Sequence, residues 1–196
     1  KNNIDFYIPT KIELAETIKD DNNNFILKLP EIEDNKLPYI SILTPTKNRR
    51  NMFSIAVRNF LSFVYPKDKI EWVIVDDGTQ DLTDLIPYND NRIKYIKLDN
   101  TKIINIGEKR NLCVEYSSYD ILVHMDDDDY YPPERVSHSV NMLLSHPNAL
   151  CAGASEIYIW FKHIEKMYQF GPYSPNHATA GTFAFKRELL KTHKYE

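Results

Sequence analysis

Short apolar runs alternate along this chain with segments of helical periodicity, and a polar motif follows most of the runs. The apolar runs cover residues 39–44, 70–75, 93–98 and 121–125. Helical spacing of apolar residues follows over residues 52–63, 107–116 and beyond residue 133. Strands that alternate with helices in this way are typical of a parallel sheet covered on both faces. The sequence therefore predicts an α/β fold with a mostly parallel central sheet, Rossmann-like in its first half.

Three polar motifs lie where strands of this sheet are predicted to end. They are Thr-Pro-Thr-Lys-Asn-Arg at 44–49, Asp-Asp-Gly at 76–78 and four consecutive aspartates at 126–129. In open α/β sheets, ligands bind outside the carboxyl ends of the strands. We therefore expect a binding site at this edge.

The chain divides into an appendage over residues 1–36 and a main domain over residues 37–196. In the appendage, Thr10 and Glu13 have capping-box spacing ahead of a short helix over residues 11–19, and residues 25–29 fit an edge strand. Late in the main domain, residues 150–155 and 157–161 are predicted strands. Pro132 and Pro133 open a helix. One face of that helix is predicted to carry Val136, Val140, Leu143 and Leu144.

Charge and composition exclude several classes of partner. The net charge is −4, from 24 basic and 28 acidic residues, which argues against binding nucleic acid or an anionic membrane surface. No signal peptide and no membrane-spanning run is visible in this chain. Two cysteines, Cys113 and Cys151, need no disulfide, so we expect a reducing, cytoplasmic location. The bias toward Asn, Lys, Ile and Tyr suggests an AT-rich genome; if that genome is a giant virus's, the location is the host cytoplasm.

The aspartate cluster is the strongest candidate for a metal site. In an extended segment Asp126 and Asp128 point to the same side. Adjacent carboxylates raise one another's pKa unless a cation lies between them, and Mg²⁺ or Mn²⁺ prefers such oxygen ligands. A solvated acidic turn is the alternative. An EF-hand is excluded because its sixth and twelfth positions would be Tyr131 and Ser137.

The other motifs have ordinary structural interpretations when each is taken alone. Thr44 and Asp77 can bond a ligand, although such residues between a strand and a helix are more often caps. Asn105 and Glu108 predict a capping box that starts a helix. Cations in the first turn of that helix, such as Lys109, oppose its dipole unless an anion binds there; otherwise they are simply exposed.

In this order and spacing, the motifs resemble those of glycosyltransferase family 2. The resemblance rests on TPTKNR at 44–49, VDDG at 75–78, GEKRN at 107–111, HMDDDDYYPPERV at 124–136 and GTFAFKRELL at 181–190. It implies a GT-A fold and a metal-dependent transfer of a hexose from a nucleoside-diphosphate sugar, most often a UDP-sugar. The acceptor hydroxyl would belong to a glycan, protein or lipid. Most members of the family invert the configuration of the sugar.

The resemblance also implies roles for individual residues. Thr44 and Asp77 would contact the base, Arg110 the base or ribose, and Asp126 the ribose. Asp128 would be the main ligand of Mn²⁺ or Mg²⁺, together with Asp126 and Asp129. The residues predicted to hold the nucleotide sugar are Thr44, Pro45, Thr46, Asn48, Arg49, Asp76, Asp77, Gly107, Lys109, Arg110, Asn111, Asp126 and Asp127.

The catalytic base is the one part of the family pattern that this sequence does not identify. In the family it is an Asp or Glu shortly after the helix that begins here near Lys186, which places it at or beyond Glu196. An alternative function is therefore a nucleotide-sugar or glycan binding module without catalysis. A nucleotidyltransferase is disfavoured because the loop after the first strand has no glycine. An NAD-dependent oxidoreductase or a P-loop enzyme is disfavoured because its glycine motif is missing.

Isolated residues outside these motifs have two interpretations each. His177 could approach a diphosphate, although a lone loop histidine is usually a surface residue. Tyr130, Tyr131, Trp160 and Tyr168 could stack on a sugar, although most such rings pack in the core or at its rim. His124 and Cys113 are predicted to be structural.

Overall fold

The structure is a computed structural model that describes residues 17–19, 25–27, 32–99, 104–174 and 177–196. The strands are β1 (Thr17–Lys19), β2 (Phe25–Leu27), β3 (Ile40–Thr46), β4 (Ile70–Asp76), β5 (Ile93–Lys97), β6 (Ile121–His124), β7 (Cys151–Ala152), β8 (Ile157–Phe161), β9 (Lys166–Phe170) and β10 (Ala184–Lys186). The α-helices are α1 (Ser54–Ser62), α2 (Ile106–Tyr116) and α3 (Arg135–Ser145). Single 3₁₀ turns cover Asp34–Lys36, Lys67–Lys69, Thr83–Leu85, Ala180–Thr182 and Arg187–Lys191.

Six strands form the central sheet in the order β5-β4-β3-β6-β10-β7. The first four are mutually parallel, and β10 runs antiparallel to both β6 and β7. Helices α1 and α3 contribute to one hydrophobic core that includes Trp72, whereas α2 contributes Cys113 and Val114 to a second core. The predicted α/β fold, mostly parallel and covered on both faces, is confirmed.

Strand β3 continues through Pro45, although the sequence pattern predicted that it would stop there. The Leu43 carbonyl accepts from the Met125 N–H, so alternation directs the backbone of Pro45 to the same side of the strand. On that side the pairing between β3 and β6 has already ended at Leu43 and His124. The missing N–H of Pro45 therefore breaks no ladder hydrogen bond, as for a proline at a sheet edge.

Helix α2 begins as its sequence predicts. The Asn105 side chain accepts from the Glu108 N–H, and the Glu108 carboxylate accepts from the Asn105 N–H, which completes a capping box. Helix α3 begins at Arg135, after the two prolines. Its buried face includes Val136, Val140 and Leu143. Leu144 was wrongly assigned to this face: it is partly exposed.

The predicted appendage is described only over its two short strands. Strands β1 and β2 pair antiparallel, with Ile18 opposite Ile26. The predicted helix is therefore wrong at residues 17–19, where β-branched Thr17 and Ile18 favour an extended chain. The rest of that predicted helix, and residues 28–29 of the predicted strand, lie outside the described residues.

The predicted late strands lie in two different sheets. Of residues 150–155, Cys151 and Ala152 form the edge strand β7 of the central sheet. Strand β8 instead pairs with β9 in a separate hairpin, with Ile159 opposite Tyr168. In the ranges that the structure describes, no helix is both long and apolar enough to cross a membrane.

Candidate functional site

The carboxyl ends of β3, β4 and β6 meet at one edge of the sheet. Because the three strands are parallel neighbours, Thr46 pairs with Asp76, and the aspartate cluster begins two residues past His124, the end of β6. All three predicted polar motifs therefore lie together at this edge, as expected from the strand order.

Asp76 and Asp77, at the end of β4, are buried and neutralised by lysines. The Asp76 carboxylate accepts from the Gly78 N–H, the Tyr95 hydroxyl and the Lys97 ammonium, each at 2.7 Å. The Asp77 carboxylate pairs with Lys47 at 3.0 Å and with Lys109. Burial opposes the ionised form of Asp77, but the two lysines outweigh it and hold the pKa of this carboxyl below its usual value.

Lys109 is the cation that joins the first turn of α2 to the strand ends. The sequence left open whether it is exposed; the structure buries it to 5% exposure. Its ammonium pairs with Asp77 and donates to the Thr46 carbonyl at 3.0 Å. The Thr46 hydroxyl in turn donates to the Asp127 carboxylate at 2.5 Å. A continuous polar chain thus links Asp77 to the aspartate cluster.

Arginines approach the aspartate cluster more loosely than the lysines approach Asp77. Arg49 lies 3.5 Å from Asp128, and Arg110 lies 3.7 Å from Asp126. Burial is the largest influence on Asp126, Asp127 and Asp129 and raises the pKa of each above its usual value; neighbouring carboxylates add to the rise. The cluster therefore has more negative charge than its own neighbours neutralise.

Two predicted ligand residues on β3 lie in or next to the core. Thr44 is fully buried: its hydroxyl donates to the Met125 carbonyl and accepts from the Trp72 indole N–H, both at 2.8 Å. The sequence predicted that this hydroxyl contacts a base, but it is engaged on both sides beneath the site. Pro45 follows within the same buried strand.

Asn48 shapes the loop that follows β3. It adopts a left-handed backbone with φ of 53°, which asparagine tolerates better than most residues. Its side-chain oxygen accepts from the Thr79 N–H at 2.7 Å. Its backbone lies so close to Gly78 that a β-carbon there would come within 2.5 Å of the Asn48 nitrogen. Asn48 therefore ties the loop after β3 to the turn after β4.

Residues near the chain's C-terminus complete the site beside α2. Asn111 donates to the Tyr195 carbonyl at 2.8 Å and accepts from the Tyr195 N–H at 3.2 Å. The Arg110 guanidinium lies 5.6 Å from the centre of the Tyr195 ring. Gly107 admits the Glu196 carbonyl, which a β-carbon would displace. Asn111 and Gly107 thus hold the final residues against the first turns of α2.

Buried groups under the aspartates support them. The Tyr131 hydroxyl donates to the Gly181 carbonyl at 2.9 Å and accepts from the Asp126 N–H at 3.1 Å. His124 lies 2.9 Å from the Tyr195 hydroxyl, and burial lowers the pKa of His124 to about 3, so its imidazole is neutral. The Nδ1 atom of His124 is buried and has no hydrogen-bond partner among the described residues. The Nε atom of Arg110 is likewise buried and has no such partner among them.

Sequence reasoning missed three residues of this edge. Lys47, within the first motif, pairs with Asp77. Gly181 lies next to Asp126, where a β-carbon would come within 2.6 Å of the carboxylate. Tyr195 bridges α2 and His124. The spacing of residues along one sequence gives no signal for such contacts, since each contact joins segments at least 30 residues apart.

His177, which the sequence offered as a possible diphosphate contact, is exposed, and its ring lies 5.1 Å from that of Tyr173.

The carboxylates do not form a closed metal cage. Within the described ranges, no three His, Cys, Asp or Glu side chains converge closely enough to hold an ion by themselves. Mg²⁺ sites that bind nucleotides typically use one or two carboxylates, with waters and substrate phosphates as the other ligands.

The sequence pattern described as "Glycosyl transferase family 2" matches residues 41–193, which contain every motif at the edge of the sheet. The chain belongs to glycosyltransferase family 2. The match begins in β3 and ends just before Tyr195, so both the sheet and the aspartate cluster lie inside it.

Curated relatives in this family are longer than the chain. A putative colanic acid biosynthesis glycosyl transferase, WcaA of Escherichia coli K12, is 33% identical over 123 residues, which are 60% of this chain and 40% of the relative. An uncharacterized glycosyltransferase of Rickettsia felis is 30% identical over 129 residues, 61% of this chain and 20% of the relative. The chain thus spans less than half the length of these relatives.

Solved structures establish the fold. The mannosyltransferase PcManGT of Pyrobaculum calidifontis, solved with GDP-Man and Mn²⁺, superposes with a TM-score of 0.60 and 19% identity over 82% of this chain and 48% of its own. Residues 1–349 of Staphylococcus aureus TarS, solved with UDP-GlcNAc, superpose with a TM-score of 0.57 and 20% identity. The superposition covers 78% of this chain and 46% of the TarS chain. The predicted GT-A fold of this family 2 chain is confirmed.

Proposed function

We propose that this chain carries the donor site of a metal-dependent glycosyltransferase that moves a hexose from a nucleoside-diphosphate sugar to an acceptor hydroxyl, and that this donor is a UDP-sugar. The observation that carries the proposal is the surplus of carboxylate charge in Asp126–Asp129 at the carboxyl edge of the sheet, with Arg49 and Arg110 beside it. The family match and the named ligands of two structural neighbours support it.

The residues present fit a hard divalent cation. The donor set consists of carboxylate oxygens, which suit Mn²⁺ or Mg²⁺ rather than a soft metal. Burial, and to a smaller extent the neighbouring carboxylates, raise the pKa of Asp126 and of Asp129, and a cation bound between these groups would favour their ionised forms. Asp128 is the main proposed ligand, with Asp126 and Asp129 as its companions. A bound ion would act as a Lewis acid on the leaving diphosphate.

The structure narrows the set of residues that we propose to meet the nucleotide. Thr44, Asp76 and Asp77 have buried side chains engaged by the protein itself, so we assign them to support of the site. Arg49 and Arg110 reach two different aspartates of the cluster through contacts longer than ordinary hydrogen bonds. We propose that these guanidinium groups bind diphosphate and ribose oxygens, for which their planar donors are suited.

Transfer requires that the acceptor oxygen attack the anomeric carbon while the bond from that carbon to the diphosphate oxygen breaks. A carboxylate must take the acceptor's proton. We propose that this base lies at or beyond Glu196, because Asn111 and Tyr195 hold that segment beside Arg110. Attack from the face opposite the leaving group inverts the sugar.

Thermal unfolding with nucleotides tests the proposal. UDP, GDP and CDP are added separately, each with Mn²⁺ or with EDTA. A ligand present at about 100 times its dissociation constant adds roughly 2.7 kcal/mol of stability, which raises the melting temperature of a domain of this size by roughly 5–10 °C. We expect UDP with Mn²⁺ to give the largest rise and EDTA to remove it. A folded protein that shows no rise with any of the three contradicts the proposal.

A further inference from the structure

The hairpin of β8 and β9 presents a row of large apolar side chains to solvent. Tyr158, Trp160 and Met167 are 61%, 52% and 57% exposed. Tyr158 and Trp160 lie two residues apart and so share one face of the strand, and Met167 is the cross-strand partner of Trp160. Exposed apolar side chains grouped in this way indicate a binding surface. We call Tyr158, Trp160 and Met167 the aromatic platform.

The hairpin rises from the same edge of the sheet as the aspartate cluster. Strand β7 is antiparallel to β10 and therefore parallel to β6, with Ala152 and Val123 both opposite Ala184. Two strand spacings, about 10 Å, separate Ala152 from Val123. After β7 the chain passes through Ala154, whose N–H donates a hydrogen bond to the Thr182 hydroxyl at 2.9 Å.

That connection reaches the aspartates themselves. Thr182 follows Gly181, whose carbonyl accepts from the Tyr131 hydroxyl. The same hydroxyl accepts from the Asp126 N–H, and Gly181 lies directly against the Asp126 carboxylate. The root of the hairpin is thus linked to the cluster by three hydrogen bonds and the peptide bond between Gly181 and Thr182. The aromatic platform therefore lies on a hairpin whose root packs beside the proposed donor site.

Polar groups flank the rings of the platform. The Tyr158 hydroxyl donates to the Glu156 carboxylate at 2.5 Å, which fixes the orientation of the ring. Gln169 lies opposite Tyr158 across the hairpin. A pyranose ring has a C–H face, which packs on an aromatic ring, and hydroxyl groups at its rim, which bond to carboxylates and amides. Aromatic walls with a few placed polar groups match this ligand.

From this geometry we propose that the aromatic platform binds the acceptor, and that the acceptor is a carbohydrate chain. The proposal deepens the proposed function, on which it rests, by naming the class of acceptor. The sugar that receives the hexose lies at the aspartate edge, and the next sugars of the chain stack on Tyr158 and Trp160.

The polarity of the hairpin tip disfavours insertion of the hairpin into a lipid bilayer. The four residues of the turn are Lys162, His163, Ile164 and Glu165, of which three are ionisable or polar. A hairpin that enters a bilayer needs its large apolar side chains at the tip, whereas Tyr158, Trp160 and Met167 lie along the side of the strands.

Tryptophan fluorescence tests the platform directly. The chain has two tryptophans, and Trp72 is fully buried, so acrylamide quenching reports on Trp160. The probes are maltotetraose, cellotetraose, mannotetraose and chitotetraose, with phosphatidylcholine–phosphatidylglycerol vesicles as the lipid arm. We expect at least one tetrasaccharide to protect Trp160 from quenching. Tyr158→Ala should weaken that affinity roughly ten-fold. Tyr88→Ala, at an exposed tyrosine before β5, should leave it unchanged.

The outcomes separate this proposal from the donor proposal. Protection by no tetrasaccharide, protection by vesicles alone, or equal affinity in Tyr158→Ala overturns the carbohydrate platform. The stabilisation by UDP and Mn²⁺ is measured on the same samples and should be unaltered by Tyr158→Ala. If that stabilisation is missing while a tetrasaccharide still protects Trp160, the proposed donor site is contradicted and carbohydrate binding by the aromatic platform is supported.

Discussion

Two acidic strand ends lie on either side of β3 at this edge of the sheet, and their surroundings differ. Asp77, after β4, is fully buried but paired with Lys47 and Lys109, and its pKa is lowered. The aspartates after β6 have arginines at 3.5 Å and 3.7 Å as their nearest cations. Three of them have raised pKa values.

On our proposal, the difference separates carboxylates that support the fold from carboxylates that bind a ligand. A carboxylate whose charge is matched by two lysines, one of them buried, contributes to folding and has little affinity left for a metal ion. A carboxylate group whose charge is unmatched destabilises the empty protein and gains most when a cation binds.

Replacing the buried lysine should have the largest effect on stability. Lys109→Met removes the ammonium that pairs with Asp77 and donates to Thr46, and leaves a buried carboxylate with one partner, Lys47. We expect the free energy of unfolding in urea to fall by about 3–5 kcal/mol. Lys67→Met, at an exposed lysine before β4, is the control and should change it by less than about 0.5 kcal/mol. A loss below about 1 kcal/mol in Lys109→Met would contradict the assigned role.

The next largest effect concerns Thr44, which the sequence assigned to the ligand and the structure assigns to the core. Thr44→Val leaves the Met125 carbonyl and the Trp72 indole N–H without their partner. The free energy of unfolding should fall by about 1–3 kcal/mol. The affinity for UDP with Mn²⁺, measured by calorimetry, should change by less than about two-fold. Thr192→Val, at an exposed threonine, is the matched control. A loss of UDP affinity without a loss of stability would restore the original prediction.

Removing one unmatched charge should stabilise the empty protein slightly. In Asp127→Asn the amide oxygen can still accept from Thr46, while a buried negative charge disappears. Because the folded-state pKa of Asp127 is raised, its ionisation weakens folding as pH rises past that value. At pH 7 in EDTA we expect a gain of about 1 kcal/mol, measured by urea unfolding.

The same gain should vanish below about pH 3, where the carboxyl is protonated in both states. Asp77→Asn is the contrasting variant. Its lowered pKa means that its contribution to stability is present above the unfolded-state pKa and lost as pH falls through the folded one. A destabilised Asp127→Asn at pH 7 would show that the cluster is neutralised within the protein.

The fold and the placement of the site followed from sequence pattern because each depends on local periodicity. The capping box at Asn105 and the polar ends of β3, β4 and β6 are properties of neighbouring residues. Burial and long-range pairing, in contrast, depend on residues that are far apart in the sequence. The sequence could not show that Thr44 bonds to Trp72, because the two lie on different strands.

Lys109 illustrates the same limit. A lysine in the first turn of a helix opposes the helix dipole, so pattern alone left exposure as one interpretation. The structure shows that its partners come from the ends of two strands, at Asp77 and Thr46. The prediction for Leu144 was wrong in the opposite direction, because it placed an exposed residue in the core. Helical spacing put Leu144 on the apolar face, but Leu143 is the last buried residue of α3.

The most direct test of the central claim is calorimetric binding of Mn²⁺ in the presence of saturating UDP. The wild-type chain, Asp128→Asn and Asp68→Asn are compared; Asp68 is an exposed aspartate at the opposite, amino end of β4. The account predicts one Mn²⁺ per chain in the wild type and in Asp68→Asn, with binding at least roughly ten-fold weaker in Asp128→Asn. Equal Mn²⁺ affinity in all three proteins would contradict a metal site at the aspartate cluster.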